Sequence, residues 1–122
     1  ENYKGYISQP AVLHYPVGGG YMQQHEDPLY PQMVEMVLSG SQRGVDFSEG
    51  GIQIYNKKWI DIESYINLGD LVLFRPDIPH RVTPIDENKS LSWDVLSGRW
   101  TIFSPIANIN NEQLNEKETK TI

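Results

Sequence analysis

Glycine and proline, ten and eight of 122 residues, cut the chain into short apolar runs, most of them alternating. Ile52 to Tyr55 (IQIY) alternates cleanly and is followed by the turn Asn56-Lys57-Lys58 and a second run, Trp59 to Ile62. Ala11 to Tyr15 is stopped by Pro16, Tyr21 to Asp27 by Pro28, and His80 to Thr83 by Pro84. Between Gln32 and Leu38 the apolar residues Val34, Met36 and Leu38 fall two apart, and Ser39-Gly40 closes the run. Leu71 to Phe74 is apolar throughout, the pattern of a strand buried on both faces. Arg99 to Phe103 is the last run, and Leu91 to Val95 extends the hairpin before it. Side chains that repeat every second residue, bounded by turn formers, specify strands rather than helices. The expectation is about eight strands in an all-β sandwich or jelly-roll-like barrel. Residues 1–106 form this one domain, and a polar, solvated tail follows over 107–122.

Charge narrows the function classes. The net charge is −6 and the ten basic residues are scattered, so general nucleic-acid binding is not expected. No apolar run reaches the length of a membrane span and no basic-then-apolar leader is present. A cytoplasmic protein with no membrane partner is therefore expected. Cysteine is absent, so any metal must be held by nitrogen and oxygen.

Such ligands are available in Gln23-Gln24-His25-Glu26-Asp27-Pro28. On a strand running to Asp27, side chains two apart share a face, which puts Gln23, His25 and Asp27 together and Glu26 opposite. Two other histidines exist, His14 and His80. His14 neighbours Tyr15, and only one of those two can face inward. His80 opens a strand far along the chain, as a ligand from a facing strand would. His25, Asp27 and His80 then make a 2-His-1-carboxylate set, which binds one face of a metal and leaves the other open. The same residues also fit a surface His–carboxylate pair and an unrelated turn histidine.

Four passages, LHYPVGGGYMQQHEDP (Leu13 to Pro28), FSEGGIQIY (Phe47 to Tyr55), LGDLVLFRPDIPHRVTPI (Leu68 to Ile85) and GRWTIFSP (Gly98 to Pro105), occur in an order that resembles the iron(II)- and 2-oxoglutarate-dependent oxygenases. The resemblance implies a double-stranded β-helix, here without the family's N-terminal helices. It implies Fe(II) on His25, Asp27 and His80, with 2-oxoglutarate and O₂ as cosubstrates and succinate and CO₂ released. An intact Asp27 implies hydroxylation, because halogenating relatives carry a small residue there. The far carboxylate of 2-oxoglutarate calls for a fixed cation, best an Arg fork. Arg81 adjoins His80 and points the other way, and Arg75 sits in a turn beside Asp77. Arg99, with Thr101 on its face, resembles the family's Arg-x-Ser pairing. The gap from His80 to Arg99 is longer than the family's, which keeps Lys89 as the reserve. Tyr15 resembles a cosubstrate-binding tyrosine, although a core aromatic fits equally, and Gln23 is a further contact to cosubstrate or substrate. Gly50-Gly51 reads as a bulge or a close backbone approach.

The substrate is a small molecule or a peptide of unassigned identity, and the oligomeric state is likewise unassigned. Two rivals share these residues: a cupin-like metal-dependent isomerase or lyase without 2-oxoglutarate, and a non-enzymatic jelly-roll domain that binds a ligand.

Overall fold

A computed structural model describes residues 4–110. Within them lie ten strands: β1 (Lys4–Ser8), β2 (Ala11–Pro16), β3 (Gly20–His25), β4 (Gln32–Ser39), β5 (Gly51–Tyr55), β6 (Trp59–Asp61), β7 (Leu71–Phe74), β8 (His80–Ile85), β9 (Gly98–Phe103) and β10 (Ile106–Asn110). One 3₁₀ turn, Ile62–Tyr65, is the sole helical element among the described residues. Among the described residues no helix is long and apolar enough to cross a membrane.

The strands form two antiparallel sheets. The larger has the order β1-β10-β4-β9-β2, with β7 also paired to β4; the smaller has the order β3-β8-β5-β6. Val37 of β4 faces both Val72 of β7 and Phe103 of β9, so those two strands flank β4 on opposite edges. The pairs β2–β9, β3–β8, β4–β7 and β5–β6 are nested, as in one long hairpin folded over on itself.

The core cluster takes Tyr15 from β2 of the larger sheet and Val82 and Ile85 from β8 of the smaller. Val17 and Phe47 complete it, with Leu13 and Met22 packed against it. Each such side chain contributes about 1.5–3 kcal/mol on full burial. Phe47 anchors its polar loop in this core.

Expectations for several segments are corrected. Residues 107–110 do not belong to a tail: β10 pairs with β1 and with β4. The rest of the tail, from 111 on, lies outside the described residues. β7 is not buried on both faces, because it sits at the edge of its sheet with Leu71 and Leu73 exposed. Leu91 to Val95 forms no strand, and Pro84 lies within β8 instead of ending it. On β4 the fully buried set is Glu35, Val37 and Ser39, while Val34, Met36 and Leu38 are half-buried on the other face. Alternation identified the strand, and its inward face turns Glu35 and Val37 into a cavity.

Candidate metal centre

His25 ends β3 and His80 begins β8, and the two are direct cross-strand partners. Opposed residues of an antiparallel pair project from the same face, so the imidazoles meet, with ring centroids 4.2 Å apart. Asp27 lies beyond the end of β3. Its backbone N–H donates to the Pro76 carbonyl at 2.9 Å, which holds the carboxylate beside the two rings after the ladder has stopped.

The hydrogen bonds of the imidazoles fix which nitrogen faces the gap. His25 Nδ1 is 2.8 Å from the Gln23 carbonyl, and His80 Nδ1 is 2.8 Å from the Ile78 carbonyl. A carbonyl only accepts, so in both rings Nδ1 carries a proton, and in the neutral form of each ring Nε2 holds the lone pair. Both Nε2 atoms point at Asp27 Oδ2, at 3.5 and 3.7 Å. These separations are too long for direct hydrogen bonds. One ligand atom from each residue lies within 4.8 Å of the other two. Two imidazole Nε2 atoms and a carboxylate oxygen, with both rings oriented by backbone carbonyls, fit a divalent metal such as Fe(II). Burial holds the His80 pKa below its ordinary value, partly offset by its bond to Ile78, and so favours the neutral ring that a metal needs.

Gln23 does not join them. The β3–β8 register shifts between Met22 and His25, so a bulge breaks the two-residue alternation. Met22 turns into the cavity and the Gln23 side chain is left exposed, contributing only its carbonyl to His25.

Arg99, Thr101 and Tyr15 all line the same cavity as the triad, and all three are buried. Tyr15 is the cross-strand partner of Arg99, and Leu13 that of Thr101. The guanidinium carbon lies 5.4 Å from the Tyr15 ring centre. Burial raises the Tyr15 phenol above its ordinary value, against the pull of Arg99. The hydroxyl reaches only the Met22 sulfur, at 4.0 Å, which leaves it free for a ligand. Lys89 is engaged elsewhere, in an ion pair with Asp86 at 2.9 Å, and is mostly exposed. Arg75 pairs with Asp77 as expected, whereas Arg81, whose guanidinium bonds Gln53 and covers the Trp59 ring, also borders the cavity. His14 faces outward, stacked on Trp100 with ring centroids 3.9 Å apart.

Two site residues were not foreseen, both glutamates. Glu63, on the 3₁₀ turn, accepts from Arg99 Nε at 2.8 Å and from the Ile52 N–H at 2.9 Å through the same oxygen. The available signal was Gly51. Its φ is +137°, and a Cβ there would lie 2.4 Å from Glu63 Cγ, so the close approach expected of Gly50-Gly51 makes room for this carboxylate. Glu35, on β4, is wholly buried and lines the cavity beside Asp27. Burial first, and then the charge of Asp27, push its pKa up to about 7.

No protein-family model matches this chain, and no curated protein matches it.

Proposed function

We propose that this protein is an Fe(II)- and 2-oxoglutarate-dependent oxygenase that hydroxylates its substrate. The nested strand pairs support a double-stranded β-helix, the architecture in which facing strands deliver three ligands to one side of a metal. The observation that carries the reading is the convergence of both Nε2 atoms on Asp27, in a cavity that also contains Arg99. When bound, Fe(II) with 2-oxoglutarate and O₂ supplies the oxidising chemistry, and succinate and CO₂ leave. The chain's own part is positional. His25, Asp27 and His80 hold the metal from one side. Arg99 holds the distal carboxylate of 2-oxoglutarate through the amino groups that Glu63 does not engage, and Thr101 and Tyr15 add hydroxyl donors. Val37, Ile52 and Phe74 line the cavity and keep water from the reacting atoms.

Purified protein supplied with Fe(II), 2-oxoglutarate and O₂ should release succinate, and His80→Ala should not. No succinate across a broad substrate panel, together with no binding of metal or 2-oxoglutarate, sinks the proposal.

One observation favours a second reading, a metal-dependent isomerase or lyase on the same scaffold. Arg99 is already neutralised by Glu63, as a purely structural arginine would be. That reading requires metal-dependent activity to survive Arg99→Gln.

A further inference from the structure

We propose that the outward face of the larger sheet is the interface of a homodimer, two copies of this chain packed sheet against sheet about a twofold axis. The proposal is independent of what the cavity binds.

Cross-strand partners project from one face of a sheet. Leu71 of β7 is the partner of Leu38 of β4, Leu38 of Ile102 of β9, and Ile102 of Val12 of β2, so one apolar row crosses four strands. Leu73 beside Met36 makes a second row on one side of it, and Trp100 stacked on His14 flanks it on the other. The cavity takes Val37, Thr101 and Phe103 from alternate positions of the same strands, so these rows point away from it. Val12, Leu71, Leu73 and Ile102 are 65, 50, 59 and 39% exposed. With the half-buried residues between them they present on the order of 500 Å² of apolar surface, the upper range for a monomer and, with a polar rim added, close to the roughly 800 Å² that each partner gives to a stable dimer.

Charge, chain composition and symmetry choose a second copy as the occupant. The outward positions of β2, β4, β7 and β9 include no Lys, Arg, Asp or Glu. Two copies of net charge −6 repel in most approaches, but on this face they meet without opposing charges. A basic partner drawn by that net charge finds no carboxylate here to pair with. The chain itself offers little cover, since residues 1–3 and 111–122 contain only Tyr3, Leu114 and Ile122 as large apolar residues. The row is also complementary to itself. A twofold axis running along the strands between β4 and β9 puts Leu38 opposite the partner's Ile102 and Leu71 opposite the partner's Val12, in the aligned packing of two sheets.

The test is sedimentation equilibrium of the full chain across the micromolar to submillimolar range, with melting curves as the check on folding. The wild type should sediment at twice the 14.0 kDa of one chain. Ile102→Lys, at the centre of the face, and Leu73→Lys, on its edge strand, should each weaken the dimer at least tenfold. Tyr55→Lys, on the smaller sheet, should leave it unchanged. A wild type that stays monomeric throughout the range overturns the proposal, however the variants fold, and leaves the face to a different protein. A dimer that keeps its strength in both folded variants of the larger sheet overturns it equally, because the copies would then meet elsewhere.

Discussion

Arg99 and Glu63 form an ion pair in which both side chains are 2% exposed, with Nε 2.8 Å from Oε2. Such a pair is weak evidence of net stability, but breaking it from one side strands a charge. Glu63→Ala should cost about 3–5 kcal/mol in chemical denaturation, because Arg99 and the Ile52 N–H both lose their acceptor. Glu63→Gln keeps an acceptor oxygen and should cost less. Equal losses for the two variants would show that packing around Glu63, not its bond to Arg99, matters.

Asp27 separates metal binding from folding. It is half-buried, and its side chain faces the two histidines at distances longer than hydrogen bonds. Asp27→Asn is close to isosteric, so metal-free melting should change little. Saturating Mn(II) should raise the melting temperature of the wild type and leave the variant unmoved, since only a ligand that binds the folded state stabilises it. A variant that gains as much from the metal as the wild type would remove Asp27 from the ligand set.

The pH response of metal-free protein follows from Glu35 and His80. Glu35 has a folded pKa of about 7 against an ordinary 4.5, so its contribution is present at low pH and is lost as pH rises through that interval. His80 is shifted the other way. Its folded pKa lies below 6.5, so its contribution is present above that value and is lost as pH falls. Glu35→Gln should therefore match the wild type near the acid end and exceed it by on the order of 2–3 kcal/mol at slightly alkaline pH. Parallel melting profiles for the two proteins would contradict this account of Glu35.

Tyr15 offers a test of function against packing. Its hydroxyl has only a long contact to Met22, so Tyr15→Phe should cost less than about 1 kcal/mol in stability. If the hydroxyl binds the cosubstrate, the same change should weaken 2-oxoglutarate about tenfold, the equivalent of one hydrogen bond. Unchanged 2-oxoglutarate affinity would leave Tyr15 as a core aromatic.

Lys89 should prove dispensable for the cosubstrate. It is tied to Asp86, whose carboxylate also accepts the Ser48 and Glu49 N–H groups. Lys89→Ala should leave 2-oxoglutarate affinity within twofold in calorimetry, and Arg99→Gln should abolish it. The reverse ranking would reassign the anchor.

How far the residues announced this arrangement depends on what fixed each one. Turn formers and period-two runs located eight of the ten strands, because both act locally. β1 and β10 carry weak patterns of their own and exist through pairing with each other and with β4. His25, Asp27 and His80 were legible from residue type and spacing, although the strand stops at His25 and a backbone bond to Pro76, not strand period, brings Asp27 in. Gln23 was misplaced because a bulge is a tertiary event, set by how β3 meets β8. Glu35 and Glu63 escaped notice for a different reason. A glutamate is ordinarily exposed, so nothing at its own position reports that a cavity or an arginine lies beside it.

The central claim is that one cavity binds a metal and 2-oxoglutarate together. Its most direct test is an anaerobic titration of 2-oxoglutarate into Fe(II)-loaded protein, followed by the metal-to-ligand charge-transfer absorption of the chelate. The account predicts a band that saturates at one 2-oxoglutarate per iron and is lost in both His80→Ala and Arg99→Gln. Stoichiometric iron with no such band, or a band that persists undiminished in Arg99→Gln, would contradict it.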